Sequence, residues 1–187
     1  REKMKIIKTG TKLHLSLIHS SNLKFGITLM AFGFLKKMFF ADNIAPMVNE
    51  IFKFPIGYDS FAIIVTTIAF GIQVYADFSA YSDIAIGAAI ILGFKIPKNF
   101  NKPFFAISPS DFWRRWHISL STWVRDYLFY PIIFRKLNSD MMYICGLVVT
   151  FFLLGLWHGA GWNFIIFGLL HGSYVTIEFI VRRKIPF

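Results

Sequence analysis

Charge and sulfur are both scarce in this sequence. Of its 187 residues, 16% are charged and one is cysteine, Cys145. A lone cysteine permits no internal disulfide and no cysteine-built metal cluster. Lying in an apolar run, Cys145 reads as a small packing residue rather than a nucleophile. No Gly-rich phosphate loop, no zinc-spaced Cys/His set and no Gly-x-Ser-x-Gly elbow occurs, so neither a resident metal nor a stored serine nucleophile is expected. Soluble globular domains carry roughly a quarter charged residues, and the deficit here points to a membrane.

What is abundant agrees. Hydrophobic residues make up 56% of the chain, with 23 Phe, and they are gathered into long runs. Twenty Lys and Arg outnumber ten Asp and Glu, for a net charge of +10. In a soluble chain that excess would suggest nucleic acid. Here the basic residues lie between apolar runs, where they read as cytoplasmic anchors, and no nucleic-acid partner is expected. The expected fold is all-α, with multi-pass transmembrane helices joined by interfacial or re-entrant helices.

Residues 1–22 are basic and polar, with His14 and His19, and read as a loop or interfacial segment; residues 23–187 carry the membrane part. The start lacks the apolar stretch of a signal peptide, and both ends read as cut from something longer. Leu23–Ala41 is an apolar run whose Lys36 and Lys37 are placed to snorkel to a headgroup surface. Residues 42–60, with Asn43, Pro46, Pro55 and Gly57, read as a connector. Phe61–Phe94 would measure about 50 Å as one straight helix, too long for a perpendicular crossing. It is expected to tilt, to break at Gly71 or Gly87, or to lie partly in the interface.

Residues 95–136 are basic and aromatic. Ser108-Pro109-Ser110-Asp111 is a helix start, with Ser108 as N-cap and Pro109 in the first position. The stripe Phe112, Trp113, Trp116, Leu120, Trp123, Tyr127 and Leu128 then predicts one amphipathic helix at the membrane interface. Two further apolar runs, Met141–Trp157 and Trp162–Val181, are separated by His158-Gly159-Ala160-Gly161. The positive-inside rule puts the basic start, 95–136 and 182–184 on the cytoplasmic side. It puts 42–60 outside, and 158–161 toward the far side or within the membrane.

Five positions stand out chemically. His158 sits between two apolar runs, and an ionisable group at membrane depth marks a functional site by default. The alternative is an interfacial histidine in a turn between belt tryptophans; on the functional reading Trp157 and Trp162 wall the site and exclude water. His117 faces either a cavity or the headgroups beside Arg114 and Arg115. Asp77 and Asp83 interrupt the long apolar stretch, and Asp77 shares a helix face with Tyr81, four residues on. Carboxylates at that depth need partners: a histidine to orient, an arginine such as Arg125, or a polar bracket between helices. His171 reads as an interhelical hydrogen-bonding residue. Polar residues along a pathway would also suit a non-enzymatic channel or carrier.

Asp77-Phe-Ser-Ala-Tyr-Ser-Asp-Ile-Ala-Ile-Gly87, the stretch Phe112-Trp-Arg-Arg-Trp-His through Leu128, and Trp157-His-Gly-Ala-Gly-Trp-Asn-Phe164 closely resemble the bacterial membrane-bound O-acyltransferases. The nearest branch is the alginate O-acetyltransferases; the teichoic-acid D-alanyl transfer proteins are cousins. Pro131–Asp140 lacks the Gly-Asn-Arg turn of many alginate-type relatives. The resemblance implies many helices around a thin core crossed by a tunnel, in a bacterial inner membrane. It implies an acyl donor (acetyl-CoA or an acyl carrier) arriving from the cytoplasm as co-substrate, with no tightly bound cofactor. A polysaccharide hydroxyl would arrive from the other side, with periplasmic or extracellular acetyltransferase proteins as partners. The family's catalytic histidine falls on His158 and its second histidine on His117. Trp157, Trp162, Asp77, Tyr81, Asp83, Trp113, Trp116 and Arg125 are expected to bind substrate or support the site.

Overall fold

The computed structural model describes residues 20–134 and 139–185. His14, His19 and most of the expected basic loop lie outside the described residues. These fall into two compact units, the first ending at Pro97 and the second beginning at Lys98. Every regular element among them is helical.

The first unit holds α1 (Ser20–Leu35), α2 (Asp42–Lys53) and α3 (Ser60–Ile91). Helices α1 and α3 cross through small residues. A Cβ on Gly26 would lie 2.7 Å from the Gly87 carbonyl oxygen, and one on Gly33 2.9 Å from that of Ala80. Gly26 and Gly33, like Ala80 and Gly87, repeat at heptad spacing, so two antiparallel backbones touch along a seam. Gly87 is therefore a contact surface and not a break. Helix α3 runs unbroken through it and through Gly71, with a length of about 48 Å. The helix opens on Asp59, whose carboxylate accepts from the Ala62 N–H at 2.7 Å. It closes at Gly93, whose left-handed φ of 80° lets the Phe94 N–H reach the Ala89 carbonyl at 2.7 Å.

The connector expected at 42–60 is for the most part a helix. The chain widens into a π-type turn over Lys36–Ala41 and continues directly into α2. Ala41, Ile44, Ala45, Val48 and Ile51 form a covered stripe at helical spacing, while Asn43, Glu50 and Lys53 face out. Pro46 withholds one N–H without ending the helix.

The second unit holds α4 (Pro109–Arg115), α5 (Ile118–Val124), a π-type turn (Arg125–Phe129), α6 (Tyr130–Ile133), α7 (Asp140–His158) and α8 (Trp162–Lys184). Its core joins Val124, Phe129 and Ile133 to Leu147, Phe151 and Leu154 of α7. Cys145 is exposed on the outside of α7 rather than packed. Among the described residues three helices are able, by length and composition, to cross a membrane: α3, α7 and α8.

Candidate active site

Helix α4 starts as its sequence dictates. Pro109 takes the first position, and the Ser108 hydroxyl accepts from the Asp111 N–H at 3.2 Å. Glu178 of α8 accepts from the Ser110 N–H at 2.8 Å, which ties the start of α4 to α8. The single amphipathic helix expected to reach Leu128 does not form. Trp116 is extended and His117 is left-handed, with φ 42° and ψ 55°. Residues 99–101 cause the break. The Asn101 N–H donates to the Arg115 carbonyl at 2.9 Å, the Ile118 N–H to the Asn99 carbonyl at 2.9 Å, and the Ser119 N–H to Asn99 Oδ1 at 3.2 Å. Bonds that would have continued one helix are spent on this segment instead. A left-handed non-glycine residue costs about 1–3 kcal/mol and is kept only where its surroundings over-determine it. Nor does the aromatic stripe keep to one surface. Trp113, Leu120 and Leu128 pack on the core, whereas Trp123 and Tyr127 stack on each other at 5.5 Å and stay exposed.

Histidine 158 is the last residue of α7, three beyond Gly155. Its ring stands edge-on to Phe167 of α8 at 5.7 Å and lies 5.0 Å from that of Trp157. The other face of the turn is open: Trp162 is 77% exposed and Trp157 64%, so within this unit the two tryptophans flank the imidazole rather than enclosing it. A Cβ on Gly159 would run into the Phe164 ring, which would have to shift to admit it. His117 is half-buried, and burial is the larger cause holding its imidazole below its ordinary pKa; repulsion from His158 is the second. The unit thus brings the two histidines within electrostatic reach of each other and keeps His117 neutral near pH 7.

His171, expected to hydrogen-bond between helices, is set among rings instead. It lies 4.6 Å from Phe167, 5.1 Å from Trp113 and 6.2 Å from Phe112. Trp116 stacks on Phe112 at 5.6 Å. Arg125 pairs with its neighbour Asp126 at 2.8 Å. With Arg114, Trp113 and Thr150 it lines an apolar cleft of about 540 Å³.

The first unit answers the question of the carboxylates. Asp83 pairs with Lys36 at 2.6 Å, and Lys36 also donates to the Ser79 hydroxyl at 3.0 Å. Lys37 bridges Asp77 at 2.9 Å and Asp42 at 2.8 Å. The lysines turn to carboxylates on α2 and α3 instead of snorkelling outward, and Asp77 and Asp83 act as the polar bracket. Asp77, Tyr81 and Gln73 share a shallow hollow of about 440 Å³.

Membrane-length helices, with His117 in left-handed backbone at a helix break and His158 at the end of α7, define a helical integral membrane protein with polar residues at its helix ends. The chain belongs to the MBOAT, or membrane-bound O-acyltransferase, family, whose sequence model matches residues 4–187. It is 43% identical over 159 residues to a probable alginate O-acetylase of Azotobacter vinelandii, covering 84% of this chain and 31% of that protein. A peptidoglycan O-acetyltransferase of Helicobacter pylori is 38% identical over 157 residues, 84% of this chain and 30% of its own length. A teichoic acid D-alanyltransferase of Bacillus subtilis is 40% identical over 113 residues, 57% of this chain and 29% of its own. The chain spans about a third of the length of these relatives.

Proposed function

We propose that this chain carries the catalytic histidines of an O-acyltransferase in a bacterial inner membrane. The enzyme moves an acetyl group from a cytoplasmic thioester, acetyl-CoA or an acyl carrier, to hydroxyls of an extracytoplasmic polysaccharide. The observation that supports this most is geometric: His117 is held in left-handed backbone at the α4–α5 break, within electrostatic reach of His158 at the end of membrane-length α7. In this reaction His158 takes the proton of the acceptor hydroxyl as the hydroxyl oxygen attacks the thioester carbonyl. The C–S bond then breaks and the imidazolium returns the proton to the leaving thiolate. No covalent enzyme intermediate and no resident cofactor is required. His117, neutral at the working pH, is able to donate its ring N–H to the oxygen of the same hydroxyl and aim it. Periplasmic or extracellular acetyltransferase proteins are the proposed partners.

Acetyl is favoured over D-alanyl by the extent of the likeness. Similarity to the O-acetylating relatives covers 82–84% of the chain, against 57–62% for the D-alanyl ones. The decisive variant is His158→Ala in the complete protein. Transfer should fall by roughly two to four orders of magnitude, the usual contribution of a general base, with membrane insertion unchanged. An alanine variant that still forms the ester would overturn the reading. Mass analysis of the cell-surface polymer separates acetyl from alanyl esters. A protein that carries substrate across vesicles without making any new ester would be a carrier and not this enzyme.

A further inference from the structure

The acyl-transfer reading uses the half-buried His117 and the exposed His158, and leaves a third imidazole, the half-buried His171, without a task. We infer that His171 is a positioning residue whose ring sets the spacing of the two catalytic imidazoles by holding α4 against α8. The inference rests on the proposed function, because it concerns the same pair of histidines.

Helix α8 presents Phe167, His171, Tyr174 and Glu178 at intervals of four, three and four residues, one continuous face. Helix α4 is docked on that face at two points. At its start the Ser110 N–H donates to Glu178 at 2.8 Å. One turn later Trp113 meets His171 edge-on at 5.1 Å, with Phe112 nearly parallel to the imidazole at 6.2 Å and 20°. Two series of ring contacts leave His171 from there. One passes to Phe167 at 4.6 Å and on to His158 at 5.7 Å. The other passes to Phe112 and on to Trp116, stacked at 5.6 Å, the residue directly before His117. His171 is thus the ring on which the routes to both catalytic imidazoles meet.

Edge-on and stacked contacts need a flat ring. They do not need a proton on it, so phenylalanine should substitute and an aliphatic side chain should not. A misplacement of about 1 Å between reacting groups costs on the order of a hundredfold in rate. The effect should fall on the chemical step and spare substrate binding.

The test uses the complete protein in its membrane, with kcat and KM measured for His171→Phe, His171→Leu, His171→Ala and His158→Ala. We expect kcat to fall about 10–100-fold in the alanine and leucine variants with KM held within about threefold. The phenylalanine variant should stay within about threefold of wild type in both. Should the alanine variant fail to accumulate, the comparison of Leu with Phe decides, since both fill the site and only one is a ring. Leucine performing as well as phenylalanine, or phenylalanine as slow as leucine, would each overturn the inference: the first leaves mere volume, the second a need for the imidazole N–H. An inactive His158→Ala beside a fully active His171→Leu defeats the positioning role alone, whereas an active His158→Ala defeats the function on which it rests.

Discussion

Gly155 and Gly168 meet backbone to backbone where α7 crosses α8. A Cβ on Gly168 would lie 3.0 Å from the Gly155 Cα, and one on Gly155 would lie 2.5 Å from the Phe164 carbonyl oxygen. His158 follows the first glycine by three residues and His171 follows the second by three. The tightness of this crossing therefore governs how closely His158 of α7 approaches Phe167 of α8, the ring that also contacts His171 one turn further along α8. The requirement is for space at the seam.

Gly168→Leu should force the hairpin apart. Overpacking a close contact costs about 1–3 kcal/mol, and here the obstacle is backbone that cannot rotate away. Thermal unfolding in detergent should show a lower midpoint, and acyl transfer should be lost with it. Gly71→Ala is the control: nothing lies within 4 Å of its would-be Cβ, and replacing a mid-helix glycine by alanine typically gains about 0.5–1 kcal/mol. A Gly168→Leu protein as stable as the Gly71→Ala protein would contradict the crossing.

The Lys36–Asp83 pair should behave as a buried ion pair. The side chains are only 18% and 25% exposed, and removing one partner of such a pair costs about 3–5 kcal/mol because the other charge is stranded. Lys36→Met and Asp83→Leu should each lower the unfolding midpoint. The double variant should recover most of the loss, since no charge is then left alone. Additive losses in that double-mutant cycle would show that the two residues do not depend on each other.

His117 and His158 should titrate as neighbours. Burial and the charge of His158 both disfavour the His117 imidazolium, so His117 should hold its proton only below the ordinary imidazole range. Its folded pKa lies below its unfolded one. The folded state therefore loses stability as pH falls through the ordinary imidazole range and gains nothing from protonation. Histidine-selective NMR in nanodiscs measures the midpoint directly. In His158→Gln the His117 midpoint should rise, though only part of the way, because burial is the larger cause and remains. An unmoved midpoint would mean that the two rings do not sense each other.

Sequence periodicity located α7 to within a residue at each end and the start of α8, because apolar runs bounded by Asp140, His158 and a basic cluster leave little choice; α8 runs on through that cluster to Lys184. The start of α4 was equally legible, since Ser108 and Pro109 act on their own neighbours. The break at His117 was not. The stripe from Phe112 to Leu128 keeps helical spacing straight through it, and the residue that interrupts the helix, Asn99, lies outside the stripe altogether. Helix α2 was present as Ala41, Ile44, Val48 and Ile51, but Pro46 and the polar residues around it looked like a connector. Gly87 shows a different limit: a glycine that breaks a helix and one that lets another backbone touch it are the same letter until the partner, Gly26, is known. Lys36 and Lys37 likewise became bracket residues only once α3 lay beside them. For the candidate site, His158 and His117 were legible as residues. Their coupling and the ring environment of His171 depend on tertiary contacts.

The left-handed backbone at His117 allows strain and chemistry to be separated. Position 117 has φ 42°, a conformation that glycine adopts freely and that other residues adopt at a cost. His117→Gly should therefore be more stable than His117→Ala by about 1 kcal/mol, since the two variants lack the imidazole equally and differ chiefly in backbone freedom. Both should lose acyl transfer to a similar degree, because neither can hydrogen-bond the acceptor beside His158. Unfolding midpoints and transfer rates measured on the same two preparations check both halves. A glycine variant that unfolds earlier than the alanine one would deny the strain. A glycine variant that keeps the wild-type rate would show that this segment needs its turn and not its imidazole, and His158 would then act without His117.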